Sequence, residues 1–273
     1  MTDDDLLTRF RAVDHLFGAG AVERLQTAHV GVVGLGGVGS WVVEALARSG
    51  VGRLTLIDLD EVCLSNVNRQ LPALDGTVGR FKAEVLADRV RAIHPACDVR
   101  PRIEFFTESS ADRLLEPRYD VVVDAIDTLG NKCRLIAGCA ARAYPVVVCG
   151  GAGGRRDPTR VRQVDLADAS HDRLLAEVRR TLRRDHGFPV AGQPWGIPAI
   201  HSIEPVARRT VAGPNCGVGD EGRAPDFETG SESGVPAGRR LNCEGGLGSA
   251  AFVTGAFGLV AAACAVEVIL ANR

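Results

Sequence analysis

The chain has 273 residues, 45% hydrophobic and 24% charged, with 32 basic against 34 acidic side chains and a net charge of −2. That length suits one large domain or two small ones and buries about three quarters of the unfolded surface. The balance excludes disordered, collagen-like and polybasic classes. Eight cysteines without the short paired gaps of a structural zinc site, and an acidic start (Met1-Thr-Asp-Asp-Asp5) in place of a basic and then apolar leader, predict a reducing, cytoplasmic compartment.

In chain order, β-branched runs at 29–33, 53–58, 120–125 and 145–149 alternate with helical patterns. The helices run from Trp41 to Ser49, through Phe81, Val85, Leu86, Val90 and Ile93, and through Leu135, Ile136 and Ala140. The alternation predicts an α/β fold, a Rossmann-like, doubly wound, mostly parallel sheet. One domain is expected over 1–273, with 1–154 as its nucleotide-binding part and 155–273 as an elaboration. The elaboration has a strand at Val161 to Val164, an amphipathic helix through Leu174, Val178 and Leu182, and a flexible Gly- and Pro-rich loop at about 187–240. Residues 245–266 carry no charged side chain, a run long enough to cross a bilayer. Their many glycines and alanines, and the lack of basic or aromatic flanks, predict a buried C-terminal helix and no stable membrane insertion.

Gly34-Leu-Gly36-Gly37-Val-Gly39-Ser40 follows the first strand and opens a helix, the setting in which glycines let backbone N–H groups approach phosphates. Asp58, at the end of the next strand, is placed to hold ribose hydroxyls. Alone, this pattern says nucleotide and leaves NAD, FAD and ATP open, or simply a tight strand-to-helix turn.

The following residues separate these cases. Asp58-Leu-Asp60-Glu61, Asn66-Val-Asn68-Arg69-Gln70, Lys82 and Asp124-Ala-Ile-Asp127 bring two cations and several carboxylates to the carboxyl edge of the sheet. Hydride transfer requires no such cluster. Attack at the α-phosphorus of ATP requires cations to offset the charge of the pentacovalent centre and a carboxylate for Mg²⁺. Singly, Arg69 or Lys82 reads as a surface charge; together with the glycine loop they predict an adenylating site. A dehydrogenase and a non-catalytic nucleotide-binding module are the alternatives.

This pattern resembles the ubiquitin-activating-type, or ThiF-type, adenylating enzymes. Gly150-Gly-Ala-Gly-Gly154, Asp157-Pro-Thr-Arg-Val161, Asp165-Leu166 and Asn242-Cys-Glu-Gly-Gly-Leu-Gly248 are similar to the branch that dehydrates threonylcarbamoyladenosine in tRNA, and the resemblance covers about residues 9–180 and 241–270. It implies that Gly34, Gly36, Gly37 and Gly39 cradle phosphates, that Asp58 binds ribose, and that Asp60, Asn66, Arg69 and Lys82 surround the phosphates with Asp127 toward Mg²⁺. The implied catalytic candidates are Arg69, Lys82, Asp127 and Cys243. The implied cofactors are ATP, Mg²⁺ and a monovalent cation; the implied partners are tRNA, a second copy in a homodimer and a cysteine desulfurase system.

Adenylation of a ubiquitin-like sulfur carrier is the alternative within the family. ThiF and MoeB bind zinc on paired Cys-x-x-C motifs that this chain lacks, which suits the dehydratase branch. Ala12 of Arg9-Phe-Arg-Ala12 stands where the MoeB type has an arginine reaching the partner's nucleotide, leaving Arg9 or Arg11 as substitutes. Three roles stand open for Cys243: acyl or sulfur acceptor, loop cysteine, or packing. Arg173, Arg179, Arg180, Arg183 and Arg184, opposed by Asp172, Glu177 and Asp185, read either as a tRNA-phosphate contact or as a solvated helix face.

Overall fold

A computed structural model describes residues 3–190, 192–206 and 247–271. Its strands are β1 His29–Val33, β2 Arg53–Ile57, β3 Asp98–Arg102, β4 Val121–Asp124, β5 Val146–Cys149, β6 Val161–Asp165 and β7 Pro198–Ser202. The helices are α1 Asp3–Phe17, α2 Ala21–Thr27, α3 Gly39–Arg48, α4 Lys82–Ile93, α5 Ala111–Leu114, α6 Leu129–Ala141, α7 Arg173–His186 and α8 Ala251–Ala271.

The strands form one sheet in the order β3-β2-β1-β4-β5-β7-β6, parallel throughout except for the antiparallel β6/β7 pair. The expected Rossmann-like, mostly parallel sheet is therefore what forms. β1 and β4 are buried along their whole length, which is why they read as unbroken apolar runs rather than as alternating ones. Val30, Val32, Val121 and Val123 face a layer made of α3, α4 and α8, while Val33, Val122, Val146 and Val148 face α5, α6 and α7. The chain winds outward from β1 to β3, then restarts beside β1 at β4. The resulting crevice at the carboxyl ends of β1 and β4 is the switch point where ligands of such sheets bind.

α8 carries the uncharged run. It has a mean hydropathy of 2.1 and is long and apolar enough to cross a membrane by length and composition, yet Val253, Phe257, Ala261, Ala265 and Ile269 are buried in the layer with α3. Its close approach depends on glycine. A Cβ at Gly258 would lie 2.6 Å from both the Trp41 Cβ and the Val38 carbonyl oxygen.

Two strands escape the sequence reading. β3 (Asp-Val-Arg-Pro-Arg) is an edge strand, the one position where Pro101 removes no needed ladder donor. β7 lies within the stretch expected as loop, at 187–240, and is a sheet strand seated between β5 and β6. Long-range bonds put it there. The Asp165 carboxylate accepts from the Trp195 and Gly196 amides, the latter at 2.7 Å, and the Leu166 amide donates to the Ile197 carbonyl at 2.8 Å. Composition cannot show partners thirty residues apart.

Candidate active site

Three of the four glycines of the first loop have a steric reason. Gly34 adopts φ +88°, and a Cβ there would lie 2.8 Å from the Ala125 carbonyl oxygen; at Gly39 it would lie 1.8 Å from the Gly34 carbonyl oxygen. These two glycines let the loop fold on itself and against the end of β4. Gly37 rests on Thr254 and Arg69. Gly36 meets nothing nearer than the Gln70 amide nitrogen at 3.9 Å, so its backbone is the open one. The α3 N-terminus that follows has no side-chain cap; its Ser40 and Trp41 amides turn back on the Gly36 and Val38 carbonyls, both at 3.1 Å.

Asp58 holds the loop to β2. Its Oδ2 accepts from the Leu35 amide at 2.6 Å and its Oδ1 from the Asp60 amide at 2.8 Å. Burial pushes this carboxyl above the usual range, while Lys82 and the two amides pull it back. Lys82, the first residue of α4, is buried, and its Nζ lies 2.9 Å from Oδ2 of the half-exposed Asp60.

The Asn66 Oδ1 accepts from the Cys63 amide at 3.1 Å, closing the turn at Leu64–Asn66. That turn delivers Arg69 to the edge of Gly37. The guanidinium donates to the Ser65 carbonyl and the Asn68 side chain, and the Arg69 carbonyl accepts from the Trp41 indole at 3.3 Å and the Thr254 hydroxyl at 3.2 Å. α3 and α8 thus pin the segment at the same carbonyl. Asp127 is exposed in the turn after β4.

The structure therefore brings Gly34, Gly36, Gly37, Gly39, Asp58, Asp60, Asn66, Arg69, Lys82 and Asp127 to one sheet edge. Cys243 lies outside the described residues. Arg9 donates to the Ile93 carbonyl at the end of α4, and Arg11 is exposed on α1. On α7, Arg180 pairs with Glu177, Arg184 with Asp185, and Arg183 stacks 5.2 Å over Trp195. Five cysteines, among them Cys149, are buried; burial pushes the Cys149 thiol up to about 12, in keeping with a packing role.

The second glycine cluster is locked from below. Buried Arg155 donates to the carbonyls of Gly151, His171, Ser202 and Glu204. Asp172 accepts from the Gly151 amide at 2.8 Å and caps α7 at Leu175.

Sequence reasoning missed four supporting residues: Trp41, Gln70, Thr254 and Lys132. Gln70 keeps a buried side-chain oxygen without a partner beside Gly36. Lys132 is fully buried against Asp124. It had a legible signal, since the chain has only two lysines among its 32 basic residues.

A glycine loop at the switch point, with two cations and exposed carboxylates at the same sheet edge, is the arrangement expected of a nucleotide-dependent adenylating fold. Residues 10–272 match the ThiF family, and the chain belongs to it. It is 38% identical over 271 residues to the tRNA threonylcarbamoyladenosine dehydratase of Haemophilus influenzae, with 99% of this chain and 96% of that protein covered. Among solved structures it is similar to the Escherichia coli tRNA N6-threonylcarbamoyladenosine dehydratase, TcdA, in complex with AMP, at TM-score 0.82 and 36% identity over 97% of this chain and 95% of that one. The same enzyme in complex with ATP superposes at TM-score 0.81, with 36% identity and the same coverage of both chains.

Proposed function

We propose that this protein uses ATP to dehydrate threonylcarbamoyladenosine in tRNA. The carrying observation is the convergence of the glycine loop, Asp58, Arg69, Lys82 and Asp127 on the switch-point crevice of a fold similar over nearly its whole length to an AMP- and ATP-bound dehydratase. The threonyl carboxylate attacks the α-phosphorus and pyrophosphate leaves, giving an acyl-adenylate. A ureido nitrogen of the same group then attacks the acyl carbon, its proton is lost, and AMP departs from a closed hydantoin-like ring. The attack is intramolecular, so proximity alone lowers the barrier by up to about 7–11 kcal/mol and no protein nucleophile, Cys243 included, is required.

In this reading the amides at Gly36 and Gly37 and the α3 N-terminus receive the phosphates, with Gly34 and Gly39 giving the loop its shape. Asp58 retains lone pairs beyond its two amide bonds for ribose hydroxyls. Lys82 and Arg69 offset phosphate charge, while Asp60 orients the Lys82 ammonium and Asn66 holds the turn that carries Arg69. Asp127 is the residue that would hold Mg²⁺. Among the described residues no cluster of three or more acidic, Cys or His side chains could hold a metal by itself. One exposed carboxylate in the turn after β4, at the same sheet edge as the glycine loop, suits Mg²⁺, which takes one or two carboxylates and completes its shell with phosphates and water. When bound, Mg²⁺ supplies charge neutralisation at the phosphates.

The same proposal includes a cytoplasmic setting and a homodimer. The dimer is supported by apolar side chains standing exposed beside the site, Leu64, Val67 and Leu74 on the segment between β2 and α4 and Phe252 on α8. Sedimentation reads it out. Replacing K⁺ by tetramethylammonium tests the monovalent cation, and affinity capture with a cysteine desulfurase tests that partner.

The deciding experiment incubates the protein with ATP, Mg²⁺ and tRNA carrying threonylcarbamoyladenosine, followed by nucleoside mass analysis under conditions that preserve the labile ring. The expected product is the nucleoside short of one water, with one AMP formed per ring. AMP formation stimulated by a small carrier protein and not by tRNA would overturn the reading.

A further inference from the structure

Both lysines of this arginine-rich chain are buried at the carboxyl edge of the sheet, each against an aspartate. Lys82 belongs to the phosphate-facing set; Lys132 has no part in the reaction described so far. The Lys132 and Asp124 side chains are both 0% exposed, with Nζ 3.0 Å from Oδ2. A buried ion pair is seldom more stable than a well-packed apolar pair of the same size, because both charges lose their hydration. Stability therefore gives no reason for the pair, whereas geometry does.

The Asp124 Oδ1 accepts from the Ile126 amide at 3.0 Å, and the Lys132 Nζ donates to the Ile126 carbonyl at 2.9 Å. The pair thus grips both polar backbone groups of one residue, and that residue directly precedes Asp127. The same turn is joined to the phosphate loop. The Ala125 amide donates to the Val33 carbonyl at 2.9 Å, and the Ala125 carbonyl lies against Gly34. Lys132 reaches the turn from α6, so the bond ties the β4 turn to the helix that follows it.

We propose that Lys132 is a positioning residue for adenylation: by holding the Ile126 carbonyl against the Asp124 carboxylate, it fixes the direction in which Asp127 presents its own carboxylate to the phosphates. The proposal rests on the reading of Asp127 as the Mg²⁺-side carboxylate. It accounts for lysine at this place, since a compact ammonium on a flexible stem fits between one carbonyl and one carboxylate where a planar guanidinium does not.

The test uses the full-length protein and four variants: Lys132→Met, Asp124→Asn/Lys132→Met, Asp127→Ala and Asp124→Asn/Asp127→Ala/Lys132→Met. The Asp124→Asn/Lys132→Met variant leaves no unpaired buried charge, so it provides a folded comparison where Lys132→Met alone does not fold. AMP release gives kcat and the KM for ATP, and calorimetry gives ATP affinity with and without Mg²⁺. The expected result is a kcat lowered by about tenfold or more, with KM and Mg²⁺-free ATP affinity within about twofold of the parent. The gain in ATP affinity on adding Mg²⁺ should shrink. On the Asp127→Ala background, Asp124→Asn/Lys132→Met should lower the residual rate no further, because the substitutions act through one carboxylate. Wild-type kcat and Mg²⁺ gain in the folded Asp124→Asn/Lys132→Met protein, or a further loss on the Asp127→Ala background, overturns the role of Lys132 while leaving Asp127 in place. A wild-type rate for Asp127→Ala overturns both.

Discussion

At the scale of single residues, the glycine loop separates folding from binding. A methyl at Gly39 would fall 1.8 Å from the Gly34 carbonyl oxygen, inside any possible contact, whereas one at Gly36 would meet only the Gln70 Nε2 at an ordinary 3.9 Å. Gly39→Ala should therefore cost both stability and ATP binding. Gly36→Ala should keep the parent's unfolding midpoint and lose at least about tenfold in ATP affinity if, as proposed, the phosphates approach at this methyl's place. Thermal unfolding and calorimetry on the two variants check this; equal behaviour would remove Gly36 from the phosphate contact. The loop was readable from sequence because glycine spacing, strand and helix all lie within a dozen residues. Lys132 was harder to read, since Asn131 and Arg134 beside it make the start of α6 look solvated. Its burial comes from Asp124 and Ile126, on the strand and turn before the helix.

Among the elements, α3 is the one on which the site leans. On one side Glu44 receives Arg89 of α4, with Arg89 Nη2 to Glu44 Oε1 at 2.9 Å, and Arg48 of its own helix at 2.7 Å. Burial pushes the Glu44 carboxyl up, but the two guanidiniums outweigh it and hold the group below its usual 4.5. A carboxyl depressed in the folded state stabilises above its unfolded value and loses that contribution as pH falls through the folded one. Glu44→Gln should thus cost about 1 kcal/mol near pH 7, discounted because both guanidiniums are largely in water. The difference from the parent should close below pH 4.5. Urea unfolding at several pH values reads this out, and a gap that widens in acid would contradict the assignment.

On its other side α3 meets α8. A Cβ at Gly258 would press 2.6 Å from the Trp41 Cβ, while one at Gly255 would rest at an ordinary 3.6 Å from the Trp41 ring. Gly258→Ala should destabilise by about 1–3 kcal/mol through overpacking. It should also weaken ATP binding, since Trp41 anchors the Arg69 carbonyl. Gly255→Ala should be neutral or stabilising by up to about 1 kcal/mol through helix propensity. Denaturant titration of both variants separates packing from propensity.

Over the whole molecule, the crevice is assembled from β1, β2, β4, α3, α4 and the edge of α8, so a ligand bound there bridges both halves of the chain. Nucleotide binding should then stabilise the entire fold rather than one lobe. ATP at a hundred times its Kd should add about 2.7 kcal/mol to the unfolding free energy. The melting transition should move upward as one cooperative step. Two separated transitions, with only one shifted by ATP, would show instead that residues 155–273 fold as a unit of their own.

The family, the central parallel strands and the glycine loop were determined by sequence alone, because each rests on local periodicity or on residue types at short spacing. Val121-Val-Val123 can hardly be other than a buried parallel strand, and Gly34 to Ser40 can hardly be other than a strand-to-helix turn. What only the tertiary structure decided is everything held by partners distant in the chain. β3 is a strand because β2 offers it a ladder, and β7 is one because Asp165 and β5 receive it. The uncharged run at the C-terminus became a core helix because Gly258 lets it approach Trp41 and the start of α3. The grip of Lys132 and Asp124 on Ile126 belongs to the same class: charge is written in the sequence, but what it holds depends on which backbone groups the fold leaves buried beside it.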